Sequence, residues 1–200
     1  MHRPRLKLLL AFLLALGCAR GSQLGSSNFK TADVDVYRAV LDSMFVPHSV
    51  SRITRLVVQD STTVRRREEL VGGVIERLFR LPGVDSTAVR DFEARNRSAL
   101  SLNALKQFKL AVPIVFVSSE TLKTLPQTDA DKYWEEFYRR YPGSSGHIAF
   151  SAIGYSADGS LAVLMIDRGC GGLCGHGYIV SVRRSGGKWR VASIQGTWVS

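Results

Sequence analysis

The sequence predicts an α+β fold, in which N-terminal helices and two strands pack on a C-terminal antiparallel β-meander. Up to residue 141, most apolar residues recur at helical spacing, and several of these segments open on acidic or hydroxyl side chains. After residue 146, four strand-like runs follow one another, joined by short links that contain glycine. Because the helical segments all precede the meander, we expect the helices to cover one face of the sheet.

Each element rests on a local pattern. The first helix starts near Thr31 and continues until Pro47 ends it, and Ser86 is the predicted N-cap of the third helix. Pro113 places its strand near an edge or a bulge, because proline has no N–H to give to a central ladder. The predicted helical segments are 31–46, 70–79, 86–97, 119–125 and 129–141, and the predicted strands are 52–62, 108–118, 147–156, 160–168, 177–184 and 188–199.

Length and charge limit the classes of partner. A chain of 200 residues is long enough to bury a sizeable core, and its formal net charge is +10. The first seventeen residues hold three basic and no acidic side chains, so 24 basic and 17 acidic side chains remain after them. An anionic partner would suit this excess. However, the basic residues are scattered and no nucleic-acid-binding motif is present, so we favour a well-solvated surface and expect no nucleic acid partner.

Residues 1–17 are typical of an export signal. Basic residues precede a nine-residue apolar run, which is shorter than the about 20 residues that a membrane span needs. The sequence "LALGC" at its end resembles the bacterial lipobox, a signal that is cut before its cysteine, which is then lipidated. This resemblance implies lipidation of Cys18. Ala15 stands where that signal usually has leucine, so ordinary cleavage after Gly17 or Ala19 remains an alternative.

The export signal sets the predicted domain organisation. We expect a signal peptide at 1–17, a flexible Gly/Ser tether at 18–31 and a single α+β domain at 32–200. The lipid would hold the protein on a membrane, facing the periplasm or the cell exterior. Without lipidation the protein would be secreted or periplasmic.

The segment "DRGCGGLCGHGY", residues 167–178, has three interpretations: a disulfide, a metal site or a redox-active thiol pair. If Cys18 carries lipid, Cys170 and Cys174 are an even pair in an oxidising compartment, which favours a disulfide. Such a bond closes a five-residue ring and contributes about 2 kcal/mol in the chain-entropy estimate. The C-x-x-x-C spacing is not the C-x-x-C of thiol oxidoreductases, which disfavours a catalytic thiol.

Strand order in an up-and-down meander brings His147, His176 and Trp198 to the edge that holds the two cysteines. These three residues form a candidate ligand or metal edge. By residue type, both imidazoles with both thiolates would make a tetrahedral zinc set, although oxidation of the cysteines competes with it. Otherwise we expect no cofactor. The chain lacks a G-x-S-x-G elbow, an H-E-x-x-H pair, a P-loop and a dinucleotide fingerprint, and no catalytic residue is predicted.

The last third of the chain resembles a group of uncharacterised bacterial secreted proteins and lipoproteins. The resemblance rests on a C-G-x-L-C-G hairpin at 170–175, a G-K-W sequence at 187–189 and a W-V-S ending at 198–200. It implies export and a similar architecture, and it implies no activity, because the group has none assigned. His176 stands where the group often has serine or glycine.

These observations predict an exported, lipid-anchored envelope protein that binds an envelope protein or a small ligand and is not an enzyme. The alternative is a metal-assisted hydrolase that uses the edge formed by His147, Cys170, Cys174 and His176. A third hypothesis is a folding or assembly accessory for other envelope proteins.

Overall fold

The computed structural model describes residues 29–46, 53–65, 73–107, 110 and 112–200. The predicted signal peptide, Cys18 and all of the tether before Phe29 lie outside these residues, so the predictions made for them stay predictions. Within the described part of the chain, no helix combines the length and the apolarity that crossing a bilayer requires.

The described residues form an α+β fold, which confirms the predicted class. The helices are α1 Thr31–Met44, α2 Ile75–Arg80, α3 Ser86–Arg95, α4 Ser119–Lys123 and α5 Ala130–Arg140, with a 3-10 helix at Asn103–Gln107. Side-chain caps explain several helix starts. The Asp85 carboxylate accepts the N–H groups of Thr87 and Ala88 at 2.8 and 2.9 Å, so the N-cap is Asp85 and not the predicted Ser86.

All seven strands belong to one mixed sheet. They are β1 Leu56–Gln59, β2 Ile114–Val117, β3 His147–Phe150, β4 Gly154–Tyr155, β5 Leu161–Gly169, β6 His176–Ser185 and β7 Lys188–Val199. The order is β2-β1-β3-β5-β6-β7, with β4 paired to β5. Strands β3, β5, β6 and β7 form the predicted antiparallel meander, and β1 extends it through parallel pairing with both β3 and β2.

The first predicted strand of the meander, 147–156, is interrupted at residues 151–153. Side chains of α1 and of the C-terminal end of α3 form hydrogen bonds with the backbone groups there. The Tyr37 hydroxyl donates to the Ser151 carbonyl at 2.8 Å, and the Asn96 amide bonds both the N–H and the carbonyl of Ala152 at 2.9 and 3.0 Å. Side chains therefore satisfy several of these buried polar groups, while the Ser151 N–H still donates to the Met165 carbonyl of β5 at 3.0 Å.

The prediction that helices cover one face of the sheet is wrong, because helices pack on both faces. Helix α1 packs on one face against side chains such as Leu164 and Val180. Helices α2 and α3 cover the opposite face around Val163 and Met165, and α4 and α5 cover the same opposite face around Val57. The reason lies in β5, whose first six residues are all buried. A strand that is apolar on both faces needs a helical layer on each of them.

A buried ion pair joins the two helical layers through the edge of the sheet. The Asp33 carboxylate of α1 receives two hydrogen bonds from the Arg95 guanidinium of α3, at 3.0 and 2.7 Å, and one from the Tyr155 hydroxyl at 2.8 Å. The backbone N–H of Lys30 donates to the same carboxylate at 2.8 Å. Burial, and next the Asp33 charge, raise the pKa of Tyr155 well above its ordinary value, so its hydroxyl stays protonated and donates.

Candidate functional site at the disulfide end of the sheet

Cys170 and Cys174 form a disulfide in the link between β5 and β6, with their Cα atoms 5.1 Å apart. This confirms the predicted bond. The two sulfur atoms are therefore not thiolates, and a zinc set that needs both thiolates does not describe this state of the loop. A disulfide is also the oxidised form of a redox-active thiol pair, so it does not decide on that interpretation.

The disulfide loop is fixed to its surroundings by hydrogen bonds at both ends. The Tyr138 hydroxyl of α5 donates to the Cys170 carbonyl at 2.8 Å. On the other side, Gly175 and Ser200 exchange two bonds: the Gly175 N–H donates to the Ser200 hydroxyl at 2.9 Å, and the Ser200 N–H donates to the Gly175 carbonyl at 3.0 Å. A loop rich in glycine is thus held by α5, by the disulfide and by the end of β7.

Trp198 lies flat over two glycines of this region. A methyl group on Gly177 would lie 2.0 Å from the indole Nε1, and one on Gly175 would lie 2.6 Å from the ring carbon Cζ3. The indole N–H donates to Asp167 Oδ1 at 2.8 Å, and the other oxygen of Asp167 forms an ion pair with Arg65. The glycines therefore make room for the ring, and the Arg65–Asp167 pair fixes its orientation.

His147 lies on the same face of the sheet as Asp167, because it pairs directly with Gly169, two residues further along β5. Its ring stacks on Trp134 of α5, with ring centroids 5.7 Å apart and planes at 13°. Burial lowers the pKa of His147 below the ordinary histidine value, so the imidazole is neutral at neutral pH. Its Nδ1 atom is buried and has no hydrogen-bond partner within the described residues.

His176 lies on the opposite face from His147. It pairs with Arg168, the neighbour of Gly169 on β5, and successive residues of a strand point to opposite faces. The His176 ring stacks on Tyr178, at a centroid distance of 6.1 Å. The predicted edge is therefore present only in part: His147 and Trp198 share one face, and His176 lies on the other.

The structure does not bring together the four residues of the zinc alternative. Cys170 and Cys174 form a disulfide with each other, and the imidazoles of His147 and His176 lie on opposite faces of the sheet. Among the described residues, no group of three or more histidine, cysteine, aspartate or glutamate side chains is placed to hold a metal ion.

Exposed apolar side chains occur in the disulfide loop and at the end of β7, where Trp198 and Val199 point to opposite faces of the sheet. Leu173 at the tip of the loop is 92% exposed, Val199 is 77% exposed and Trp198 is 42% exposed. We call these three residues the apolar tip. They belong to segments that are tied together by the Gly175–Ser200 hydrogen bonds and by the packing of Trp198 on Gly175.

Sequence reasoning missed Arg65 and Asp167, which orient Trp198. A signal for Asp167 was present, since a carboxylate directly after the apolar run of β5 needs a partner if it is partly buried. Nothing in the sequence pointed to Arg65 as that partner, because 102 residues separate the two.

Comparison with known proteins gives no relative for this chain. No protein-family model, no curated protein and no solved structure matches it.

Proposed function

We propose that this protein is an exported, lipid-anchored binding domain, whose apolar tip engages another protein of the cell envelope without catalysing a reaction. The observation that carries the proposal is the exposure of Leu173, Trp198 and Val199 at a loop closed by a disulfide. Exposed apolar groups that are held in fixed positions are typical of protein-binding surfaces.

Rigidity of the loop supports a binding role. The disulfide, the Tyr138 bond and the exchange of two hydrogen bonds between Gly175 and Ser200 order the loop in the free protein. A surface that is already ordered loses less conformational entropy when a partner binds. Tryptophan is also among the residue types that contribute most to binding energy at interfaces.

The carboxylate near the tip is engaged in holding it. Asp167 is bound by Arg65 and Trp198, so it is not a free base. Nucleophilic or acid–base catalysis needs a free base within hydrogen-bond reach of a second reactive group. Contacts that fix an indole ring in place favour recognition over such chemistry.

The position of the proposed anchor also supports this role. The described chain begins next to Tyr155, at the end of the sheet where β5 starts. The disulfide loop follows Gly169, at the end where β5 finishes. An anchor at Cys18 would therefore attach at the end of the sheet that lies opposite the apolar tip.

The first experiment determines the mass of the mature protein isolated from cells, before and after reduction. The expected mass is that of a chain starting at Cys18 with acyl groups, and it should rise by the two hydrogens of one disulfide on reduction. A full-length chain, or two free thiols before reduction, would contradict the export on which the proposal depends.

The second experiment places a photo-cross-linking amino acid at position 173 in living cells. Phe79 is a matched control position, because it is apolar and 50% exposed but belongs to another element, α2. We expect one discrete adduct from position 173, identified by mass spectrometry as an envelope protein, and its loss when Trp198→Ala is added. Equal adducts from both positions, or none from position 173, would refute the proposed binding surface.

A further inference from the structure

We propose that the hairpin tip formed by residues 183–190, between β6 and β7, binds anionic phospholipid headgroups and thereby orients the domain on its membrane. This inference rests on the lipid anchoring proposed above and adds a second, electrostatic contact with the same membrane. A single attachment through a flexible tether leaves the domain free to rotate, whereas two contacts fix which end faces outward.

The hairpin tip concentrates positive charge. Arg183, Arg184, Lys188 and Arg190 lie within eight residues that include no acidic side chain, and all four are exposed. Within the described part of the chain, none of them forms an ion pair with a carboxylate. Basic clusters beside a membrane anchor attract anionic lipids, and each basic residue adds to the affinity.

The strand register places like charges against each other. Arg183 and Arg190 are directly paired across the hairpin, an arrangement that is destabilising for an isolated pair of strands. Their neighbour Val182 packs into the core on the α1 side, so both arginines project from the opposite face. Arg183 packs on Gly83 and donates to the backbone oxygen of Pro82 at 3.3 Å. A phosphate group bound between the two guanidinium groups would relieve this repulsion.

The acidic residues near the hairpin offset part of its charge but do not pair with its two facing arginines. Asp35 and Asp42 of α1 line a groove of about 360 Å³ together with Lys188 and Trp189, on the α1 side of the sheet. Asp158, in the turn between β4 and β5, accepts hydrogen bonds from two serine hydroxyls at 2.6 and 2.7 Å. Among the described residues, neither Arg183 nor Arg190 forms an ion pair with a carboxylate, so the two facing guanidinium groups remain available to an anion.

The chain enters the described structure beside this hairpin. The Lys30 ammonium lies 4.8 Å from the centre of the Tyr155 ring, which in turn contacts Trp189 with centroids 5.9 Å apart. Ten residues lie between Cys18 and Phe29, which makes eleven Cα–Cα steps. A tether of the predicted kind would have a root-mean-square span of roughly 18 Å over this length, and would reach about 40 Å when fully extended. An anchor at Cys18 therefore keeps the hairpin tip within reach of the headgroups.

The test uses the mature protein as cells produce it, placed on vesicles of phosphatidylcholine alone or of equal parts phosphatidylcholine and phosphatidylglycerol. Hydrogen–deuterium exchange is measured for the peptide that contains the hairpin tip. One variant replaces Arg183, Arg184, Lys188 and Arg190 by glutamine. A matched variant replaces Arg97, Lys106, Lys123 and Lys132 by glutamine, which removes the same charge from other elements.

Exchange in the hairpin should slow only on the vesicles that contain phosphatidylglycerol, and the slowing should disappear in about 1 M salt, where charges are screened within about 3 Å. The hairpin variant should lose the effect, and the matched variant should keep it. Equal slowing on phosphatidylcholine, equal loss in both variants, or no slowing on any vesicle would overturn the inference, as would binding of nucleic acid or an acidic polysaccharide in place of the vesicles.

The mass measurement keeps the two proposals distinguishable. If the mature protein carries no acyl group, anchoring is refuted, and the hairpin is tested by sedimentation with the anionic vesicles. Each glutamine in the hairpin should then weaken binding about fivefold. If the mature protein is acylated but exchange in its hairpin does not slow on vesicles that contain phosphatidylglycerol, the inference is refuted and the proposed anchoring is not.

Discussion

Asp33 and Arg95 form a doubly hydrogen-bonded ion pair that is almost closed to solvent, with the two side chains 1% and 8% exposed. The pair joins α1, on one face of the sheet, to α3, on the other. Arg95 also donates to the Ile153 carbonyl at 2.6 Å, so the same guanidinium holds the interruption between β3 and β4.

Replacing Arg95 by alanine should lower the free energy of unfolding by about 3–5 kcal/mol, because Asp33 would be left buried and uncompensated. Chemical denaturation measures this change. Arg97→Ala is the control, since Arg97 pairs with Glu93 at 3.7 Å but is 72% exposed, and its loss should cost less than about 1 kcal/mol. The double variant with Asp33→Asn and Arg95→Met should be more stable than the sum of its single variants predicts. Strict additivity would show that the pair is not coupled.

The disulfide should contribute about 2 kcal/mol to stability, the chain-entropy estimate for a ring of five residues. A variant with both Cys170→Ser and Cys174→Ser should therefore melt at a lower temperature and keep the far-ultraviolet circular dichroism of the wild type. Reduced wild-type protein provides the control and should melt at nearly the same temperature as the variant. A loss of the whole fold on reduction would mean that the bond does more than close its loop.

His147 should make stability depend on pH. Burial lowers its pKa in the folded state, so between that lowered value and about 6.5 the unfolded chain binds a proton that the folded chain does not. The contribution of His147 to the free energy of unfolding therefore rises with pH through this window and is constant above it. His147→Phe preserves a ring against Trp134 and should remove this part of the slope. Wild type and variant should differ by a constant amount above about pH 7.5. An unchanged slope below pH 6.5 would contradict the assignment.

Gly177→Ala should displace Trp198, because the new methyl group would meet the indole nitrogen at 2.0 Å. Overpacking of this kind costs about 1–3 kcal/mol, and it would break the hydrogen bond to Asp167. Denaturation curves and a red shift of tryptophan emission measure the two effects. Gly196→Ala is the matched control on β7, since no atom lies within 4 Å of its methyl position. That variant should change stability by less than about 0.5 kcal/mol. Equal effects of the two variants would show that the position of the Trp198 ring does not require glycine at position 177.

Local patterns predicted the elements well, because their signals are local. The α1 stripe, the two early strands and the three hairpin-linked strands from β5 onward all occur near their predicted positions. The disulfide was also predicted, from cysteine count and compartment. The interruption at 151–153 was not, because it depends on Tyr37, Arg95 and Asn96, which lie 55 or more residues earlier in the chain.

The candidate site was also predicted only in part. Strand order brought His147, His176 and Trp198 to one end of the sheet, as predicted, but only the exact register separates the two histidines onto different faces. The apolar run of β5 did contain the information that both faces are covered, since six consecutive buried residues exceed what a one-sided sheet allows. This run in the sequence therefore argues against the prediction that helices cover only one face of the sheet.

Strand β1 has a consequence for how the chain reaches this fold. Leu56 pairs with Ile114 and Val57 pairs with His147, so its partners lie 58 and 90 residues further along the chain. A chain that is synthesised from its N-terminus produces β1 long before either neighbour exists. The meander closes through short links, whereas β1 must wait for distant partners, and such long-range closure is slow. Docking of β1 is therefore expected late in folding. Until then, its three apolar side chains lack the neighbouring strands and need protection from solvent.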